Sequence, residues 1–293
     1  MCRFSVFAFL GGTNASSLKS HPPMYEKDQK AEKMPDLVIS RGEGRCVTLT
    51  LNQPEKRNPI STAMRAALVG ALETVRKDSS IRSVILTGAG TTFCSGMDLD
   101  SLSAACSASY EDNLADSKSI RDFFEYFLSY PKPVIAAVNG PALAGGAGLA
   151  LVCDSTILAA RASFTFSEVK LGFVPAIVSI YLQLSIGLKR TRELLLSART
   201  VAAEEAERLG LANAVVGNDT LMEECARRAS LFEQNGPEAL AATKRLLASQ
   251  IKHNYMTDMG LSVELNAKAR HTSECKEGVS AFLGKRRPDW VYN

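Results

Sequence analysis

A chain of 293 residues with 46% hydrophobic and 22% charged residues has material for one large globular core, or one core with a small appendage. Its 34 basic and 31 acidic residues leave a formal charge of +3, and no basic run is interleaved with aromatics, so no nucleic-acid partner is indicated. Seven cysteines without a Cys-x-x-Cys pair and three well-separated histidines suit a reducing compartment and point away from a metal centre.

Residues 1–35 read as an N-terminal extension. They carry Arg3, Lys19 and several serines, with no acid before Glu26, a pattern like a mitochondrial targeting peptide. The expected location is the mitochondrial matrix, with the cytoplasm as the alternative. Residues 37–40 and 45–51 alternate like paired strands about Gly42-Glu43-Gly44. After a polar loop at 52–59, Ser61 can cap a helix running to about residue 77, with Met64, Leu68, Leu72 and Val75 on one face. Residues 83–87 predict a short buried strand. Phe93-Cys94-Ser95-Gly96-Met97-Asp98-Leu99 then reads as a tight turn opening a helix, with Asp98 as its cap or as a substrate contact. The Ser/Ala-rich stretch 101–116 predicts a mobile loop or weak helix, and 120–129 an aromatic amphipathic helix stopped by Pro131 and Pro133.

The stretch 133–154 organises the rest. Val134 to Val138 is a short apolar run that fits a strand covered on both faces. Asn139-Gly140-Pro141 is turn chemistry, and Gly145-Gly146-Ala147-Gly148 opens a helix. Each helical glycine costs up to ~1 kcal/mol. Bare backbone at a helix start offers unpaired N–H groups, at the positive end of the helix dipole, to an oxygen that is gaining negative charge. Close helix–strand packing without a ligand would use the same glycines. A membrane span over this uncharged stretch is disfavoured by the turn and the glycines.

Farther on, 155–160 predicts a strand and 163–175 a strand-and-loop segment carrying Glu168. Helices follow at 177–186, 191–196 and 202–209, a short strand at 215–216, then helices at 220–235, 237–252, 257–272 and 273–283. Strand–helix alternation over 36–217 thus gives way to a helical region over 218–293, the pattern of α/β units followed by a helical module. Ser95-Gly96-Met97 and Ala144-Gly145-Gly146 each place an N–H at a helix start after a buried strand. Two such donors on one carbonyl oxygen would form an oxyanion hole, but composition alone does not bring them together. Cys94 invites a thiol-nucleophile reading, which the lack of a nearby histidine argues against.

These motifs resemble the crotonase, or enoyl-CoA hydratase/isomerase, superfamily. The matching residues run from Leu51-Asn52-Gln53-Pro54 with Arg57-Asn58, through Phe93 to Leu99, Pro133 to Gly140, Gly145-Gly146, Cys153-Asp154 and Phe166-Ser167-Glu168, to Leu171-Gly172-Phe173-Val174-Pro175. Glu277 to Leu283 with Lys285-Arg286-Arg287-Pro288 closes the series. The resemblance implies an α/β fold, a ClpP-like spiral of ββα units, with a helical C-terminal trimerisation region and self-association as a trimer or dimer of trimers. It implies acyl-CoA thioesters as substrates, with no cofactor beyond the CoA of the substrate, no nucleic acid and no membrane span. By position, Met97 and Gly145 would supply the oxyanion N–H groups. Arg57, Asn58, Ser95, Gly96, Asp98, Gly146 and Gly148 would lie along the substrate, and Lys285 would reach a CoA phosphate within the subunit or across a boundary.

The chain departs from the pattern at one place. The first of the two glutamates of classical hydratases falls at Gly148, and only the second, Glu168, is kept. Two chemistries stay open: Glu168 activates water and returns its proton to the α-carbon, or it shuttles a proton between carbons as in Δ3,Δ2-enoyl-CoA isomerases. Residues 168–179 resemble single-glutamate hydratases of the methylglutaconyl- and carboxygeranoyl-CoA type, which favours hydration. A non-catalytic CoA-binding scaffold is the alternative from another class. Gly148 would then mark lost activity, and otherwise room for a bulky or charged acyl group. Without the resemblance, Glu168 would read as a surface carboxylate paired with Lys170.

Overall fold

The computed structural model describes residues 36–291, and these gather into one compact unit. The targeting-peptide reading of residues 1–35 lies outside the described residues. The chain enters as a hairpin of β1 (Val38–Glu43) and β2 (Cys46–Leu51), turning through Gly44 at φ 60°, with Val38 opposite Leu51 and Glu43 opposite Cys46. Ser61 Oγ accepts from Met64 N at 3.2 Å and starts α1 (Thr62–Lys77), whose Met64, Leu68, Leu72 and Val75 are buried as their spacing predicts. Next come β3 (Ser83–Gly88), α2 (Leu99–Ala105), α3 (Tyr110–Ser129) and β4 (Val134–Val138). They lead to β5 (Ala142–Leu143), α4 (Gly145–Leu151), β6 (Ser155–Ala159) and β7 (Ser163–Thr165). The chain continues with α5 (Ala176–Ser197), β8 (Thr200–Ala202), α6 (Ala203–Leu209) and β9 (Ala214–Val216). It ends in α7 (Leu221–Glu233), α8 (Pro237–Ala269) and α9 (Ser273–Leu283).

The larger sheet runs β1-β2-β3-β4-β6-β9, parallel except for the first pair. All five residues of β4 are buried, as an apolar run without alternation requires of a parallel strand covered on both faces. The smaller sheet, β5-β7-β8, pairs Ala142 with Phe164 and Leu143 with Thr165. This short pairing joins the glycine-rich turn before α4 to the strand that delivers Glu168.

Three expectations need correction. The stretch 101–116 is helical: it holds the end of α2 and the first turns of α3, where Ser109 caps by accepting from Asp112 N at 3.1 Å. Polar residues on α3 misled the periodicity because Asn113 and Ser117 are buried against α8 instead of facing water. The two helices expected at 237–252 and 257–272 are one 33-residue helix, α8, because nothing between them breaks the backbone pattern. The pair at 177–186 and 191–196 is joined in α5, but with a kink at Gly187, φ 74° and ψ 163°. From α7 to α9 the chain is helical apart from short connections, packed into the same compact unit through α3 and α5, and 284–291 follow without regular structure. No helix among the described residues is long and apolar enough to cross a membrane.

Candidate active site

The two glycine turns meet. Leu143 N donates to the Cys94 carbonyl at 2.9 Å, and Ile60 N to the Gly96 carbonyl at 2.8 Å, drawing both turns against the start of α1. A Cβ on Gly96, which sits at φ 86°, would stand 2.7 Å from the Leu143 oxygen and 3.1 Å from Gly145 N. Only glycine permits this approach. Ala144, just before α4, takes φ 48° and ψ −119°. That backbone region costs a non-glycine residue on the order of 1–3 kcal/mol, and the unusual ψ sets the peptide plane that carries the Gly145 N–H. Met97 and Gly145 both line one cavity of about 660 Å³. Among the described residues neither N–H has a protein acceptor.

Glu168 lines the same cavity. It follows β7, whose Phe164 and the adjoining Phe166 are fully buried and anchor the segment, and it opens a short helical turn, Glu168–Leu171. Helix α9 presses on this turn so closely that a Cβ on Gly278 would stand 2.4 Å from the Leu171 carbonyl. Glu168 is 6% exposed, and its Oε2 is buried without a hydrogen-bond partner. Burial pushes its carboxyl up to about 7, partly offset by its own backbone N–H. It is therefore no surface carboxylate salt-bridged to Lys170. A carboxylate poised near neutral pH is suited to taking up and giving back one proton.

The remaining predicted residues divide. Arg57, Ser95 and Asp98 line the cavity. Arg57 is exposed in the left-handed region at φ 63°, and its carbonyl accepts from Ser95 N at 2.9 Å. Asp98 stands before α2 but makes no capping bond to its backbone; it accepts from Ser101 Oγ at 3.1 Å. Asn58 does not contact the substrate cavity. It is 0% exposed, donates to the Ala89 and Thr92 carbonyls at 2.9 and 2.8 Å, and accepts from Gln53 N at 2.9 Å. It is a strut between the loop before α1 and the turn after β3, and its φ of 54° suits asparagine. Asn58→Ala should strand those three groups and cost about 2–4 kcal/mol, read as a lowered urea midpoint with an unchanged m-value.

Gly146 and Gly148 are packing positions. A Cβ on Gly146 would stand 2.3 Å from the Cys94 carbonyl oxygen, so close helix–strand packing accounts for this glycine. The site of a Gly148 Cβ is already taken by Val178 Cγ2 at 2.8 Å, with the Phe124 ring at 3.4 Å. The missing carboxylate leaves no extra room: an apolar wall from α5 and α3 fills its place. Cys94 is fully buried and its thiol is pushed up to about 12 by burial, which removes it as a nucleophile. Lys285 is exposed and stays outside the cavity wall, which its neighbour Arg286 joins.

Several wall residues are given no individual role by the sequence. Ile60 packs its Cδ1 against Gly145, Ala144 holds the strained turn, and Ile120, Phe124, Ile177 and Val178 form the apolar wall. Arg65 is the one with a usable signal. It occupies a position on the apolar stripe of α1, three residues before Leu68 and seven before Leu72, and is 7% exposed.

Two backbone donors and one buried carboxylate around one cavity suit a substrate whose carbonyl oxygen gains charge while a neighbouring carbon exchanges a proton. Residues 41–293 match the family described as enoyl-CoA hydratase/isomerase. A Thermus thermophilus protein, named provisionally as an enoyl-CoA hydratase, is 40% identical over 251 residues, covering 86% of this chain and 99% of its own. The 1,2-epoxyphenylacetyl-CoA isomerase of Escherichia coli is 32% identical over 260 residues, covering 88% and 99%. The crystal structure of an enoyl-CoA hydratase from Mycobacterium avium superposes with a TM-score of 0.79 at 30% identity, covering 88% of this chain and all of that one. The chain belongs to the enoyl-CoA hydratase/isomerase family of the crotonase superfamily. Its relatives are named as hydratases and isomerases of CoA thioesters.

Proposed function

We propose that the protein adds water to 2-enoyl-CoA thioesters, with Glu168 as its single acid/base and the Met97 and Gly145 N–H groups as oxyanion donors. The observation that carries this reading is Glu168 itself: buried, with an unpartnered oxygen and a pKa raised to about 7, in the cavity those donors line. The Glu168 carboxylate takes a proton from water as its oxygen bonds to C3. The C2=C3 electron pair moves toward the thioester carbonyl, whose oxygen becomes negative against the two N–H groups. Protonated Glu168 then delivers the proton to C2, which restores the thioester and completes the addition. Because the charge on oxygen peaks during the reaction, the donors favour the transition state over the bound substrate.

Arg57, Ser95 and Asp98, which line the cavity, would contact the CoA portion, and Lys285, exposed outside the cavity wall, would meet a CoA phosphate beyond it. The exposed Leu246, Leu247, Leu261 and Leu265 of α8 are an apolar surface suited to self-association. Isomerisation of 3-enoyl thioesters would draw on the same lone carboxylate, and the family description includes isomerases. The two separate on parallel incubations with a 2-enoyl and a 3-enoyl thioester. Hydration yields the 3-hydroxyacyl thioester from the former as the faster reaction. Conversion of the latter to a 2-enoyl product with no water added would overturn it.

A further inference from the structure

One wall of the cavity, where α1, α3 and α8 meet, is charged, and water addition to a plain alkenyl thioester makes no use of it. Arg65, with its side chain 8% exposed, lines the cavity, as does Asn266. Arg65 Nη2 donates to Asp116 Oδ1 at 2.8 Å and to Thr62 Oγ1 at 3.3 Å, and Nη1 to the Ile60 carbonyl at 3.3 Å. Arg270, 1% exposed, binds the same aspartate: its Nη1 donates to Asp116 Oδ2 at 2.8 Å and to Asn113 Oδ1 at 3.2 Å. Arg270 Nη2 donates to Asn266 Oδ1 at 3.1 Å, and Ser117 Oγ donates to that same oxygen at 2.8 Å. His271 meets Asn113 at 3.1 Å and brings no negative charge.

Two buried guanidinium groups therefore share one carboxylate, that of Asp116, which is 34% exposed, and the cluster behind the wall carries an excess of one positive charge. The hydrogen-bond count is also incomplete. Arg65 Nε and Arg270 Nε are both buried with no acceptor; Arg270 lies over the Phe173 ring, 5.9 Å from its centroid, and of the two only Arg65 lines the cavity. Asn266 Oδ1 is taken twice, while its amide NH2 has no acceptor among the described residues. A buried cation with an idle donor is costly unless an anion completes it. Glu168 does not serve as that anion, since its raised pKa comes from burial with no cation beside it.

We infer that this wall receives a carboxylate at the end of the acyl chain, so that the substrate is an enoyl-CoA with an acidic acyl terminus, and that Arg65 sets this specificity with Asn266 as second donor. The inference rests on the acyl-thioester reading of the cavity. A carboxylate there balances the second guanidinium and gives the idle donors a charge-assisted partner.

The test compares 2-enoyl-CoA thioesters of equal length, one ending in a carboxylate and one in its methyl ester, on wild type, Arg65→Met and Arg65→Lys. Wild type should favour the acid at least tenfold in kcat/KM. Arg65→Met should collapse that ratio at least tenfold, and Arg65→Lys should restore part of it. Equal turnover of acid and ester by wild type, or an unchanged ratio in Arg65→Met, would overturn the inference while leaving hydration intact. Calorimetric binding of the saturated acid and ester thioesters to wild type is independent of chemistry. Tenfold tighter binding of the acid without turnover of either enoyl thioester would sustain the inference and sink the hydration reading. Should Arg65→Met not fold, the wild-type preference decides.

Discussion

Glu168→Gln should lower kcat by at least ~10²-fold, within the ~10²–10⁴ range of a positioned acid/base, and should make the protein more stable at alkaline pH. Glutamine keeps the shape of the side chain but cannot carry the proton. The stability gain follows from the raised pKa. Burial raises the carboxyl from its ordinary 4.5 to about 7 in the folded protein. Below pH 4.5 both folded and unfolded forms are protonated and burial of the acid carries no ionisation penalty. Between 4.5 and 7 the unfolded chain ionises first, so stability falls as pH rises. Above 7 the loss is complete at about 3 kcal/mol, from ~1.4 kcal/mol per pKa unit. The variant escapes this loss, so its unfolding midpoint in urea should exceed that of wild type at pH 8, and the difference should vanish near pH 4. The same titration should make wild-type kcat/KM fall as pH drops through about 7, because the ionised form accepts the proton from water. Steady-state kinetics and denaturation across that pH range check both.

Gly96→Ala should reduce kcat by ~10²–10³-fold, the usual consequence of losing one oxyanion donor, with a far smaller change in KM. An alanine there meets two obstacles. Its φ of 86° is a region that L-residues avoid at a cost of roughly 1–2 kcal/mol. Its Cβ would stand 2.7 Å from the Leu143 oxygen and 3.1 Å from Gly145 N, both backbone atoms of the opposing turn. The turns must part, which moves the Met97 and Gly145 N–H groups off the common oxygen proposed for them. The apolar wall of Ile120, Phe124, Ile177 and Val178 lies outside these turns, so most of the binding surface is retained. A kcat within tenfold of wild type would mean that the convergence of these turns does not serve the chemistry.

Much of this site was legible before any coordinates. The glycines of 145–148 and the Ser95-Gly96-Met97 turn carried the signature of bare backbone at helix starts, and the lone Glu168 followed from the motif it sits in. Their meeting was not legible from composition. It depends on backbone contacts between segments about fifty residues apart, such as Leu143 N to the Cys94 carbonyl. Ala144 gave no warning of its φ of 48°, because alanine has no preference for that region. At Gly148 the missing carboxylate was plain, but what occupies its place was not: Val178, thirty residues on, closes the space that a larger acyl group was expected to use. The sequence groups Asn58 with the substrate contacts because it sits beside Arg57 in the motif, and its burial shows that a motif can hold structural and binding residues side by side. The helical start of α3 was missed because Asn113, Asp116 and Ser117 serve a polar network with α8, which hydrophobic periodicity cannot register.

The most direct test of Glu168 as the single proton carrier is turnover of a 2-enoyl-CoA thioester in D2O by wild type and Glu168→Gln, with the product followed by NMR. The account predicts a 3-hydroxyacyl thioester from wild type with one deuterium at C2, and no detectable addition by the variant on the same timescale. Addition by the variant at the wild-type rate would contradict it.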